Sequence, residues 1–218
     1  MDIHKILEAP LPDDWDSSKF SSNNTFKDRI EYAKKMAQRI GGGSSRIAFL
    51  IKYKNRDTIL KVAKNKKGMV QNERESMAFN DASMLGVEGT VTVPMIDYDE
   101  KNSQPTWLHV EYAPKLKSEK QFRQLSGGFE LEDILNYAAK LTNNRSILGA
   151  NNKTFSNEFT DKIWEAEGSF AYELVNFIGN TDTHLADLRR LSNWGAYNNN
   201  PVIIDLGVDE QILKKFYS

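Results

Sequence analysis

The chain has 218 residues, 29 Lys and Arg against 30 Asp and Glu, and no cysteine. That length suits one domain or a close pair of lobes, and it is enough to bury a core without disulfide or metal staples. The missing cysteines exclude a disulfide framework, a thiolate metal site and a Cys nucleophile, while three scattered histidines (His4, His109, His184) argue against a His-built metal centre. A formal charge of −1 leaves no broad electrostatic footprint for nucleic acid. No stretch approaches the ~18 apolar residues of a membrane helix, and the N-terminus is too polar for a signal peptide. The expectation is a soluble, intracellular globular protein.

Residues 1–24 hold Pro10, Pro12 and Ser/Asn clusters and read as a lead-in draped over the body. Thr25 is a plausible N-cap, with Phe26, Ile30, Ala33, Met36 and Ile40 at helical spacing up to Gly41-Gly42-Gly43. Two β-branched and aromatic runs follow, IAFLIKY (47–53) and TILKVA (58–63), joined by a turn at Lys54–Asp57. Residues 69–85 are patterned as a helix, and TVTVPMIDYD (90–99) and TWLHVEYA (106–113) as strands. The second half changes character. Helical patterns cover 130–142 and 159–179 around an Asn-rich loop at 143–153, then a polar loop spans 180–194 and an apolar strand 201–207. A sheet half followed by a helical half is an α+β plan with two lobes.

Four fragments carry chemistry. Gly41–Ala48 (GGGSSRIA) heads a hairpin, where glycines let backbone N–H groups approach a polyphosphate; a helix C-cap and turn is the plainer reading. Lys61 stands within an apolar strand, sharing a face with Ile59 and Ala63, and its ammonium needs a partner unless it snorkels from a sheet edge. The next helix offers Glu75, with Glu73 as competitor, and either is also readable as an ordinary solvated charge. Asp187 and Asn193, six apart in DLRRLSN, can converge on one metal–phosphate centre or simply solvate a loop. Asp205, in VIIDLG, is suited to offering a hard oxygen to Mg²⁺, with a plain turn as the rival. Trp107, Trp164, Phe170, Tyr172 and Phe177 read as core, His109 as a packed residue, and Lys64 as a loop lysine within reach of phosphate.

Taken in order, these fragments resemble the protein-kinase-like family. GGGSSRIAF, ILKVAKN and DLRRLSNWG are most similar to small kinase-like proteins encoded by bacteriophages, over residues 40–207. The resemblance implies a two-lobed α+β fold. Residues 1–40 would be an N-terminal extension and helix, 41–114 a β-rich N-lobe, and 115–218 a reduced, mainly helical C-lobe. It implies ATP and Mg²⁺ as cofactors. The backbone of Gly41, Gly43, Ser44 and Ser45 would cover the phosphates, with Ala48 and Ile59 over the adenine and Glu111–Ala113 as the hinge reading its edge. Lys61 would hold the phosphates and pair with Glu75. Asp187 would orient or deprotonate the acceptor hydroxyl, with Asn193 and Asp205 on Mg²⁺.

The family pattern is not followed throughout. Arg46 replaces the loop's third glycine, His184 precedes Asp187 by three rather than two, and Asp187 and Asn193 are six rather than five apart. Only eleven residues follow Gly207, too few for an activation segment and substrate-docking helices. The function implied is an ATP/Mg²⁺-dependent phosphotransferase acting on a protein or small-molecule acceptor. The alternative is a catalytically inactive, pseudokinase-like binding module, such as a virion or host-interaction protein. Neither reading calls for a membrane or nucleic-acid partner; the absence of targeting signals and the phage resemblance imply the host cytoplasm, with association with the virion as the alternative.

Overall fold

The computed structural model describes residues 11–21, 23–143, 153–181 and 183–206; His4, most of the Asn-rich loop and Gly207 lie outside them. The chain is α+β and divides into two compact units. One comprises residues up to Glu73 with Met95–Tyr112, the other Arg74–Pro94 with the chain from Ala113 onward. No helix among the described residues is long and apolar enough to cross a membrane.

The first unit is built on a five-stranded antiparallel sheet of β1 (Gln38–Gly42), β2 (Arg46–Tyr53), β3 (Arg56–Ala63), β4 (Met95–Tyr98) and β5 (Trp107–Glu111), in the order β1-β2-β3-β5-β4. The β2–β3 hairpin turns on two residues rather than four. Lys54 and Asn55 take φ of 47° and 64°, and Tyr53 pairs directly with Arg56, as a primed turn requires. Helix α1 (Phe26–Met36) starts where expected: Thr25 and Asp28 form a reciprocal capping box. It ends earlier than the apolar spacing suggests. Ala37 is already extended and Ile40 belongs to β1, exposed at 46%. Pairing with β2 overrides helical periodicity there, so Gly41 and Gly42 are strand residues and the helix C-cap reading fails.

One face of this sheet carries Ile47, Phe49, Ile51, Leu60, Val62 and Trp107. Leu11, Trp15 and Phe20, with Ala33 of α1, bury against it, so residues 11–21 of the lead-in drape over the sheet. Trp15 stacks on Phe20 with centroids 5.8 Å apart, and Tyr32 meets both rings edge-on. Each large apolar side chain so buried contributes about 1.5–3 kcal/mol, and the stretch is not wholly irregular, since Ser17–Phe20 form a 3-10 helix capped by Asp16. His109 is packed as expected, its Nε2 2.8 Å from the Thr58 hydroxyl and its ring edge-on to Tyr53.

Helix α2 (Lys66–Met84) begins in the first unit. The expected strand at 90–99 is two pieces split at Pro94. Residues 95–98 form β4, whereas Val91 and Val93 exchange backbone hydrogen bonds with Ile203 in the second unit.

The second unit is mainly helical: α3 (Glu119–Leu125), α4 (Leu131–Leu141), α5 (Asn157–Trp164), α6 (Phe170–Asn180) and the single-turn α7 (Leu185–Leu188). A hairpin of β6 (Trp194–Tyr197) and β7 (Asn200–Ile203) completes it. The continuous helix expected over 159–179 is broken at Gly168 (φ 78°), where Ser169 caps α6. The polar stretch 180–194 is not one loop but contains α7 and a 3-10 turn at Leu191–Asn193. The helix α4 buries Leu131, Ile134, Leu135 and Ala138, packing on α6 and α7. Trp194 is fully buried at the centre, edge-on to Phe122 (5.2 Å) and Phe170 (5.9 Å). Trp164, read as core, is instead 43% exposed, and its indole N–H donates to the Tyr137 hydroxyl.

Candidate functional site

Three of the candidate residues of the first unit, Ala48, Ile59 and Lys61, share the sheet face opposite the aromatic core. In the antiparallel register Ala48 pairs with Lys61, and Lys61 with Leu108; Leu50 pairs with Ile59, and Ile59 with Val110. Directly paired residues project to the same side, so Ala48, Ile59 and Lys61 share one face. Lys61 is 9% exposed on the middle strand, and snorkelling from an edge is therefore excluded. Glu111 ends β5 opposite Thr58, on the other face. Its buried carboxylate pairs with Arg56 at 2.7 Å, and burial raises its pKa against the pull of that guanidinium. Of the two competing helix carboxylates, Glu73 is half-buried and accepts from the Gln104 amide, whereas Glu75 is wholly buried. Glu75 is the one that burial obliges to be compensated.

The β1–β2 hairpin opposes Gly41 to Ala48 and Gly42 to Ile47, leaving Gly43, Ser44 and Ser45 as its tip. Gly43 and Ser44 are exposed, and Ser45 is buried with its hydroxyl donating to Gln71. Lys64, expected near phosphate, spends its ammonium on the Gly43 carbonyl at 2.9 Å.

In the second unit, Asp187 closes α7 and Asn193 ends the following 3-10 turn. The spacing of six is absorbed by that turn, and the Asn193 amide donates back to the Asp187 carbonyl at 3.0 Å. Ile204 N–H bonds the Asn193 carbonyl at 2.8 Å, which ties the chain just before Asp205 to this loop. Asp205 lies two residues past the end of β7. Ala113 belongs to the same neighbourhood: Lys115 bridges to Gly195, and a Cβ on Gly195 would meet the Cβ of Ala113 at 2.9 Å and the Cγ2 of Ile204 at 2.8 Å. Only glycine fits between these segments.

Electrostatics single out Asp187. Burial raises its pKa, and the nearby negative charge of Asp205 raises it further; Arg190 at 3.8 Å, His184 and the Asn193 amide only partly offset this. The Asp205 carboxylate therefore lies close enough to Asp187 to oppose its ionisation. Together with the Asn193 side-chain carbonyl oxygen, which accepts from the Ser192 hydroxyl at 3.4 Å, these residues offer hard oxygen donors. Such a set fits Mg²⁺, which takes one or two carboxylates and fills its other positions with water and phosphate oxygens. Among the described residues no group of three or more His, Cys, Asp or Glu is placed to hold a metal by itself.

Three further residues contribute here, of which sequence reasoning noted only His184, for its spacing. His184 precedes α7 with its Nδ1 buried and unpartnered among the described residues, Arg190 flanks the Asp187 carboxylate, and Gly195 permits the close approach of Ala113. Arg190 and His184 were legible as neighbours three residues to either side of Asp187; the role of Gly195 depends on contacts distant in sequence. No family model and no curated protein matches this chain.

The raised pKa of Asp187 has a testable sign. The folded protein holds this proton more tightly than the unfolded chain, so the group's contribution to stability is complete at low pH and is lost as pH rises through the folded pKa. Asp187→Asn, which cannot ionise, is expected to raise Tm at pH 7–8, and the gain should vanish below about pH 4. Thermal unfolding of both proteins across that range checks it, and an equal or lower Tm for the variant at pH 7–8 contradicts the assignment.

Proposed function

We propose that this chain is an ATP- and Mg²⁺-dependent phosphotransferase of protein-kinase-like architecture, with a β-rich N-lobe and a reduced helical C-lobe. The observation that carries the reading is the Asp187–Asn193–Asp205 constellation, in which the negative charge of Asp205 opposes ionisation of Asp187 and the Asn193 amide donates to the Asp187 carbonyl. An antiparallel sheet with a buried lysine on its middle strand, beside Ala48 and Ile59, supports the nucleotide half.

In this reading Lys61 binds the nucleotide phosphates and the Gly41–Ser45 backbone covers them, with Ala48 and Ile59 over the adenine. The hinge is Glu111–Ala113. Asn193 and Asp205 hold Mg²⁺, which when bound neutralises charge on the phosphoryl oxygens. Asp187 accepts a hydrogen bond from the acceptor hydroxyl and orients it; its raised pKa makes it a better proton acceptor than an ordinary aspartate. Positioning and charge neutralisation are what phosphoryl transfer chiefly needs, so the residue set is sufficient without a covalent intermediate.

The test is ATP binding by thermal shift, with and without Mg²⁺, on the wild type, Lys61→Ala and Asp205→Ala. At ATP a hundredfold above Kd the wild type should gain about 2.7 kcal/mol, roughly 5–10 °C in Tm. Asp205→Ala should lose the Mg²⁺-dependent part and Lys61→Ala most of the whole. No shift in folded wild type at millimolar Mg-ATP refutes the reading. Binding without turnover against protein or small-molecule hydroxyl acceptors assigns instead a non-catalytic kinase-like module, for which a virion or host protein would be the partner to seek.

A further inference from the structure

Three consecutive carbonyls at the β1–β2 tip are held from one side. Lys64 Nζ donates to Gly43 (2.9 Å), Asn65 Nδ2 to Ser44 (3.2 Å) and the Lys64 backbone N–H to Ser45 (2.7 Å). The buried Ser45 hydroxyl donates to Oε1 of Gln71, itself buried, one turn into α2. Asn72, beside it, accepts from the Arg46 guanidinium (3.3 Å) and donates to the Pro105 carbonyl (3.0 Å). Asn65 also accepts from Gly68 N–H (3.1 Å), so the residue that caps α2 is the one that grips the loop. Among the described residues nothing accepts from the Ser44 and Ser45 amides. With its carbonyls committed, the tip presents N–H groups, the polarity that an anionic phosphate requires.

We propose that Lys64, Asn65 and Gln71 are positioning residues that hold the phosphate-covering loop in its binding conformation from the first turns of α2. The inference rests on the ATP reading above and deepens it. A free glycine-rich tip must be ordered when the nucleotide arrives, and a tip latched beforehand avoids that cost. The buried Ser45–Gln71 bond is the strongest point of the latch. Water cannot substitute for either partner there, and Gln71 is fixed by the helix that carries it. The latch therefore serves the phosphate end of the ligand and is indifferent to the base.

Affinities for Mg-ATP and for adenosine distinguish this role from a merely structural one. Ser45→Ala and Gln71→Met are expected to weaken Mg-ATP about 3–10-fold, the worth of one buried hydrogen bond, and to leave adenosine unchanged. Ser45→Thr, which keeps the hydroxyl, should restore Mg-ATP affinity to within twofold of wild type. Equal losses for both ligands, or Mg-ATP affinity unaffected in Ser45→Ala, overturn the latch while leaving the ATP reading standing. A wild type that binds neither ligand overturns both. Should Gln71→Met fail to fold, Ser45→Ala decides alone, since it removes the same bond by deleting a single oxygen.

Discussion

Gly68→Ala will destabilise this protein by about 2–3 kcal/mol, although the same change at an ordinary helix position gains about 1 kcal/mol. The reason is the closeness of α2 to the hairpin tip. A Cβ at position 68 would lie 2.2 Å from the Ser45 carbonyl oxygen and 3.1 Å from the Cα of Ala63. These are backbone atoms, and the Ser45 carbonyl is itself bonded to the Lys64 N–H, so no side-chain rotation relieves the clash. The first turn of α2 must withdraw, stretching the bonds from Lys64 and Asn65 and the buried Ser45–Gln71 pair. A Tm lower by roughly 4–10 °C is expected, with Gly68→Val worse. Thermal unfolding is the check, and a Tm at or above wild type for Gly68→Ala contradicts the close approach.

Trp194→Ala should cost more, about 3–5 kcal/mol. The ring fills the centre of the second unit against Phe122 and Phe170, and its indole N–H is bonded to the Leu188 carbonyl at 2.7 Å. Removing it opens a cavity and strips a donor from the carbonyl next to Asp187. Trp194→Phe separates the two effects. It retains most of the packing and forfeits the hydrogen bond, for an expected cost of about 1–2 kcal/mol. Urea unfolding of the three proteins measures both. The Mg²⁺-dependent part of any ATP response should also fall in Trp194→Ala, because α7 would lose its anchor one residue from the acidic pair.

Elements with strong local chemistry were legible in the sequence. The β2–β3 hairpin announced itself through β-branched residues, the capping box of α1 through Thr25, and α4 through its apolar period. Those made by pairing were not. The strand β1 exists because β2 lies alongside it, and its Ile40 happened to continue the helical rhythm of α1. The strand β6 is four residues long and gave no run to read, yet its turn was marked: Asn198 and Asn199 adopt φ of 46° and 64°, the primed-turn conformation that asparagine tolerates. The helix α3 buries little but Phe122, so its period was invisible.

Within the candidate site, strand alternation correctly set Lys61 beside Ile59, because period two is rigid. Composition offered nothing on the mutual repulsion of Asp187 and Asp205, eighteen positions apart in the chain and brought near by the hydrogen bond between Ile204 and Asn193. The latch around Gly43–Ser45 was equally hidden. Its donors looked like solvated lysine and asparagine, and only the turn into α2 reveals where they are spent.

The strand order also carries a consequence for biosynthesis. In the order β1-β2-β3-β5-β4 the strand made last, β5, is an interior one. While the ribosome is still translating residues 64–106, β1, β2 and β3 can form a meander, but the far edge of β3, rich in Thr58, Ile59, Leu60 and Val62, lacks a neighbour. An apolar strand edge left open for that interval is a template for pairing with another nascent chain. The stretch from Met95 to Tyr98 must likewise wait, since its one partner is β5. The first unit thus closes by insertion rather than by end-on growth, and its vulnerable period is set by the pace of translation from the end of β3 to the start of β5.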